Sequence, residues 1–488
     1  MAAPRRPADD DRSAVVADSL CDLSAVELAA RLRAAEVSAR EVLAAHLERI
    51  ERVNPTVNAI ITLVPERAME RAAALDDHLG RGGEPGPLHG LPVAHKDLAE
   101  TAGVLTTFGS PIFADHVPTQ DALVVERMAV AGAVMVGKTN TPEFGAGSQT
   151  FNTLFGVTRN PYDLDRTCGG SSGGAAVSLA CGMVAVADGS DMGGSLRNPA
   201  AFCNVVGLRP SPGRVPIRRA LAPWSPMSVE GPMGRTVDDV TLLLSAIAGP
   251  DALVALSLEE PGTGFAPPLR RDLHGIRVAW SPDCGGLPVD PAVREALRPV
   301  PDVLSDLGCQ VVEGWPDLQA AGEVFQVMRA WQFEVVHGPM IDVRPQDYKD
   351  TIVWNVEEAR RRSLADHARA TALHSALLAR VGEFMADVDL LAGPVTQVAP
   401  FDLDTEWVTE VDGVPMETYI DWMRSCSDVS VTGLPALSLP FGFTVDGLPV
   451  GLQLVGRLRG ERDLLAYAAG IEAAVPAGRR RPPVVTAA

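Results

Sequence analysis

Two glycine-rich serine segments constrain this chain more than any other feature. The first is Cys168-Gly169-Gly170-Ser171-Ser172-Gly173-Gly174 and the second is Asp191-Met192-Gly193-Gly194-Ser195-Leu196-Arg197. Both set serine hydroxyls on backbone that can bend sharply and be approached closely, because glycine carries no Cβ. A third segment, Leu91-Pro92-Val93-Ala94-His95-Lys96-Asp97, lies upstream, with Ser171 75 residues after Lys96 and Ser195 a further 24 on. Taken singly, a Gly-Gly-Ser-Ser-Gly-Gly run reads as a flexible linker and a Lys-Asp after an apolar run as a strand end. Three such segments in order at fixed intervals ask for one explanation.

These segments, followed by Asn198-Pro199-Ala200-Ala201-Phe202-Cys203 and Gly207-Leu208-Arg209-Pro210, resemble the amidase signature family. Its members hydrolyse amide bonds with a Ser, a second Ser in a cis peptide, and a Lys. The resemblance covers roughly residues 20 to 475, and is densest over 88 to 216 and 433 to 455. It assigns nucleophilic attack to Ser195. A serine alcohol needs a nearby base to attack an amide carbonyl. No His lies near Ser195 in sequence, and His95 is the only one within the three motifs, so Lys96 is the candidate base.

Lysine acts as a base only when neutral, which requires its ordinary pKa of about 10.4 to fall through burial or a nearby positive charge. The apolar run before Lys96 suits a buried strand end. Ser171 is the expected relay, donating to Lys96 while accepting from Ser195. Backbone N–H groups of Met192, Gly193, Gly194 and Ser195 are the expected oxyanion donors, so Gly194→Val is expected to damage turnover more than folding. By resemblance, Asp191 and Arg197 form a strut that holds this turn, and Gly145, Ala146 and Gly147 form the facing substrate wall. Their small side chains suggest room for a bulky acyl or aryl group. Met192 replaces the usual Thr, and Cys168 stands where Pro is common.

Gly132-Ala133-Val134-Met135-Val136-Gly137-Lys138-Thr139 fits the phosphate-loop pattern letter for letter. Its context argues otherwise, since a phosphate loop needs a strand before it and a helix beginning at the Lys. Here a helix is expected over 121 to 131 and a buried strand over 134 to 136, with Pro142 following.

A net charge of −20, from 62 acidic against 42 basic residues, argues against a nucleic-acid surface. The N-terminus lacks the apolar core of a secretory signal, and no segment is long and apolar enough for a membrane helix. The expected location is the cytoplasm. Seven scattered cysteines read as reduced thiols, and scattered histidines imply no metal and no cofactor. The expected partner is a small-molecule amide substrate, with neither nucleic acid nor membrane, and the family resemblance leaves a homodimer open.

Ser24-Ala25-Val26-Glu27 and Ser38-Ala39-Arg40-Glu41 are capping boxes that predict helices over about 24–34 and 38–53. Apolar strand runs at 134–136 and 184–187 alternate with helical stretches such as 175–180, giving an α/β fold. The resemblance implies a large mixed, mostly parallel-type sheet covered on both sides by helices. The expected layout is a disordered tail over 1–20, one domain over 21–475 and a flexible tail over 476–488. Within that domain the core spans 88–245 and 425–475. A helical substrate cap is expected over about 315–425, where Trp331, Trp354, Trp407 and Trp422 fall; as ordinary core residues they would instead pack a helical layer.

The expected function is hydrolysis of small amides through an acyl-enzyme on Ser195, with aryl amides, carbamates and polyamide oligomers as substrate classes. The alternative is the glutaminase subunit of a tRNA-dependent amidotransferase, which shares the catalytic residues. The Trp-bearing segment does not resemble that protein.

Overall fold

The structure, a computed structural model, describes residues 19–486. The expected N-terminal tail falls outside these residues up to position 18, whereas residues 19 and 20 are already helical and Leu20 is buried. Both capping boxes form. Ser24 and Ser38 each accept from the N–H three residues on, and Glu27 and Glu41 reach back to the cap N–H at 2.9 and 2.8 Å. They open the helices Ala25–Arg33 and Ala39–Val57. The second outruns its expected end, accommodating Pro55 in its last turn, and Asn58, at φ 52°, terminates it.

Strands β1 (Ile60–Leu63), β2 (Pro92–Lys96) and β3 (Val134–Thr139) form a three-stranded sheet in the order β1-β3-β2. The larger sheet contains β4 (Ala187–Asp191), β5 (Val206–Arg209), β6 (Val229–Gly234), β7 (Arg277–Trp280), β8 (Gln310–Glu313), β9 (Leu390–Pro394), β10 (Ala436–Phe443) and β11 (Pro449–Val455). Its order is β8-β7-β9-β11-β10-β5-β6-β4. The fold is α/β with a large mixed sheet. The expectation that this sheet is mostly parallel needs correction, because only β7 runs parallel to its two neighbours, β8 and β9. The remaining pairings are antiparallel. The parallel pair β7 and β8 is joined by a helical crossover through Pro291–Leu297 and Val300–Asp306, whereas the short turn between β10 and β11 permits only antiparallel pairing.

Residues 184 and 185 precede the strand expected over 184–187, which starts at Ala187. Val186 makes a single parallel bridge to Val93 and joins the two sheets. The C-terminal ends of β2 and β4 therefore lie side by side.

The helices Ala321–Ile341, Asp350–Arg361 and Leu364–Ala386 form the layer expected as a cap. That region is not one helical unit, since β9 at 390–394 is an interior strand of the large sheet with every residue buried. Its tryptophans divide. Trp422 is 1% exposed and packs edge-on against Phe401, while Trp331 is 40% exposed.

The stretch from 476, expected as a flexible tail, is packed as far as it is described. The Arg480 carbonyl accepts from Tyr162 Oη at 2.7 Å, the Arg480 guanidinium covers the Phe443 ring, and Arg481 pairs with Asp22. The seven cysteines are all buried. Gly137-Lys138-Thr139 lies inside β3, with Lys138 wholly buried and donating to the Ala99 carbonyl and to Thr101 Oγ1. No helix begins there, so the phosphate-loop pattern is accidental. Among the described residues no helix is long and apolar enough to cross a membrane.

Candidate active site

Lys96 ends β2, whose five residues are all buried, and is itself 1% exposed. Its Nζ lies 2.8 Å from Ser171 Oγ, 2.9 Å from Ser172 Oγ and 3.0 Å from Ser190 Oγ. None of the described carboxylates forms an ion pair with it. Burial is the largest influence on this amine and outweighs the attraction of Asp191, Asp188 and Glu230, bringing its pKa down to about 7. Three hydroxyl neighbours suit both protonation states. An ammonium donates to all three, and a neutral amine donates to two and accepts from the third.

The serine loop is close-packed, unlike a linker. Gly170–Ser171 is a cis peptide. A Cβ on Gly173 would lie 2.2 Å from Thr150 Oγ1, and one on Gly174 would lie 2.4 Å from the Asn140 nitrogen. Ser148 and Thr150 hydroxyls donate to the Gly170 and Gly169 carbonyls at 2.9 and 2.8 Å. Helix Gly173–Ala180 starts directly after the two serines.

Ser195 occupies the turn after β4. The Ser172 N–H donates to its carbonyl at 3.2 Å, which presses the two serine segments together. The Ser195 hydroxyl is half-buried and makes no hydrogen bond among the described residues. The structure thus joins Lys96 to Ser171 directly, and brings Ser195 alongside without closing the expected Ser171–Ser195 hydrogen bond.

Asp191 and Arg197 pair as expected, at 3.0 Å and wholly buried. The Asp191 carboxylate also accepts the N–H groups of Gly194 and Leu196 at 2.9 and 3.1 Å, and Arg209 at 3.1 Å. Burial opposes its charge, yet Arg197 and Arg209 hold the carboxyl well below the usual carboxylate range. This geometry corrects the expected oxyanion set. The Gly194 N–H is taken by Asp191, whereas those of Met192, Gly193 and Ser195 have no protein acceptor among the described residues. Gly194 itself sits at φ +128°, and a Cβ there would lie 2.8 Å from both Asn198 Nδ2 and Cys426 Cβ. Gly194→Val is therefore expected to disturb the fold as well as turnover.

On the facing wall, Gly145 (φ +70°) lies over the relay serine, and a Cβ there would be 3.3 Å from Ser171 Oγ. Gly147 is open on its Cβ side, with Lys349 Nζ at 3.9 Å. The Ala146 side chain departs from the expectation, as it is wholly buried and packs with Phe333, Ile341, Tyr348 and Ile352.

Several contributors escaped sequence reasoning. Ser172 and Ser190 complete the hydroxyl cluster, and their placement beside Ser171 and Asp191 is a usable signal. Asp188 accepts from the Lys96 N–H at 3.3 Å and contacts His95 Nδ1 at 2.6 Å. Glu230 faces Ser190 across the β4–β6 ladder. Phe325, from the helical layer, lies against Gly193. Nothing in the sequence marks the last two. No group of three or more His, Cys, Asp or Glu side chains converges as a metal site among the described residues.

Residues 41–465 match the family model described as Amidase. An acylamidase of Rhodococcus erythropolis is 36% identical over 468 residues, covering 94% of this chain and 97% of that protein. A glutamyl-tRNA(Gln) amidotransferase component of Moorella thermoacetica is 37% identical over 484 residues, covering 94% and 98%. The latter match spans nearly the whole chain, so the Trp-bearing segment does not by itself separate the two functional readings. Among solved structures, a bacterial aryl acylamidase superposes with a TM-score of 0.88 at 27% identity, covering 95% of this chain and 98% of that one.

Proposed function

Given that this chain belongs to the amidase signature family and is an amide hydrolase, we propose that it cleaves small amides through an acyl-enzyme on Ser195. Aryl amides are the first substrate class, with carbamates and polyamide oligomers beside them. The observation that carries this reading is the buried Lys96 Nζ, 2.8 Å from Ser171 Oγ, with two further hydroxyls around it and no ion-paired carboxylate among the described residues.

Ser195 Oγ attacks the carbonyl carbon while its proton passes to Ser171 Oγ, and the Ser171 proton passes to neutral Lys96. The carbonyl oxygen takes up negative charge and accepts from the free N–H groups of the Met192–Ser195 turn, each such donor contributing about 3 kcal/mol. The Asp191 carboxylate pins that turn in advance, so no reorganisation is needed as the charge develops. When the intermediate collapses, the proton on Lys96 returns through Ser171 to the leaving nitrogen. Water then attacks the ester along the same path, and Ser195 is regenerated. The open Ser171–Ser195 contact is of the kind that tightens only when substrate arrives. The likeness to acylamidases supports the choice of aryl amides.

The near-equal likeness to an amidotransferase component favours a second reading, in which glutamine is the substrate and ammonia is passed to a partner. Mass-spectrometric detection of products from an anilide, a primary aliphatic amide, an aryl carbamate and glutamine, with Ser195→Ala as control, separates the two. Anilide cleavage that vanishes in the variant supports the first reading. Cleavage of glutamine alone supports the second.

A further inference from the structure

Resting on that reading, we infer that the substrate carries an anionic group, a carboxylate on its acyl or its amine portion, and that Arg329 receives it. Arg329 lies on helix Ala321–Ile341, one turn after Phe325 and one before Phe333, and is only 5% exposed. Its Nε donates to Asn355 Oδ1 at 3.1 Å, its Nη2 to Tyr419 Oη, and its Nη1 to Met192 Sδ at 3.2 Å. The guanidinium lies 4.3 Å from the Phe333 ring centroid and 5.6 Å from that of Tyr419. Every one of these partners is neutral, and none of the described carboxylates pairs with it.

The deep guanidiniums of Arg197, Arg209 and Arg214 each touch a carboxylate. Arg197 and Arg209 share Asp191, and Arg214 pairs with the buried Glu461 at 2.9 Å. A buried cation without a counter-ion is costly to maintain, and aromatic faces offset only part of that cost. A guanidinium has five N–H donors, of which Arg329 commits one on each nitrogen, one of them to a thioether, a weak acceptor. One N–H on each of Nη1 and Nη2 is left for a further acceptor, the fork that matches a carboxylate.

Position ties this cation to substrate. Met192, which Arg329 touches, opens the turn bearing the free N–H groups. Tyr419, which it holds, lines a hollow together with Gly147, Ser148 and Lys349. Lys349 Nζ adds positive charge there and pairs with the exposed Glu406 at 3.4 Å. Arg329 thus touches both the turn that bears the free N–H groups and a residue that lines the adjoining small hollow, and an anionic substituent that reaches the guanidinium would complete its coordination.

The test is kcat/KM on matched pairs. Succinanilate against butyranilide places the charge on the acyl side, and 4-acetamidobenzoate against 4-methylacetanilide places it on the amine side. The wild type is expected to favour the charged member of one pair by about tenfold or more. Arg329→Met should bring that ratio to about one, mainly through KM, and Arg329→Lys should restore part of it. Loss of both members in equal proportion would mark Arg329 as merely structural and overturn the inference. So would hydrolysis without charge preference in the wild type, a measurement that stands even where Arg329→Met fails to fold. Hydrolysis of none of the four anilides would overturn the aryl-amide reading itself.

Discussion

Ser190 and Glu230 face each other across the β4–β6 ladder, and Ser190 Oγ is at the same time 3.0 Å from Lys96 Nζ. The candidate base and the Glu230 carboxyl thus share this strand residue as a neighbour, and the two groups act on each other electrostatically. Burial foremost, and then the charge of Asp188, push the Glu230 pKa up to about 8, with Lys96 pulling the other way, and its Oε2 finds no partner among the described residues.

Glu230→Gln is nearly isosteric and removes the negative charge that this carboxyl acquires only above about pH 8. On the acid limb set by Lys96 near pH 7 the carboxyl is already neutral, so that limb is expected to stay in place to within about half a unit, and any change in the kcat/KM profile should appear above about pH 8. An acid limb moved to lower pH by about one unit or more would mean that Glu230 is ionised beside the base.

The pH dependence of the parent enzyme follows from Lys96 itself. Its pKa lies near 7, lowered from the ordinary lysine value, and only the neutral amine accepts the proton. Activity should be full above that pH and fall about tenfold per unit well below it. A rate that is flat down to pH 5 with acylation limiting would exclude Lys96 as the base. Lys96→Ala and Ser195→Ala should each lower kcat by at least about 10³-fold, with Ser171→Ala nearly as severe.

Asp191 stabilises the fold as well as the turn, since its carboxylate takes two backbone N–H groups and two buried arginines. Removing one partner of a buried charge cluster leaves the others uncompensated, at a cost of about 3–5 kcal/mol. Asp191→Ala should show this loss in denaturant titration, with activity abolished. Asp191→Asn should lose less stability, because it keeps the volume and one acceptor.

Gly145→Ala probes the wall over the relay serine. The backbone is at φ +70°, and the added Cβ would approach Leu98 Cδ1 to 2.9 Å and Ser171 Oγ to 3.3 Å. Stability should fall by about 1 kcal/mol or more. Turnover on every amide should drop by about tenfold or more, because a 1 Å misplacement near the reacting atoms is costly. An active enzyme with unchanged kcat would remove Gly145 from the substrate wall.

The local chemistry of this protein was legible in its sequence. Capping boxes set helix starts because their hydrogen bonds span three residues, and the apolar run before Lys96 announced a buried strand end because strand burial is a property of a few consecutive side chains. The family resemblance of the segment from Asp191 to Arg197 let one turn be read as a unit. Tertiary structure alone decided everything that depends on which strands and helices become neighbours. Sheet direction followed from connection length, the Gly194 N–H was withdrawn from the free donors by the orientation of the Asp191 carboxylate, and Ala146 was turned into a core formed with residues distant along the chain. Glu230 and Arg329 lie far along the chain from the serines and carry no motif. Their influence on the site is electrostatic, acting through space, and a charge gains that influence only when folding removes the water around it.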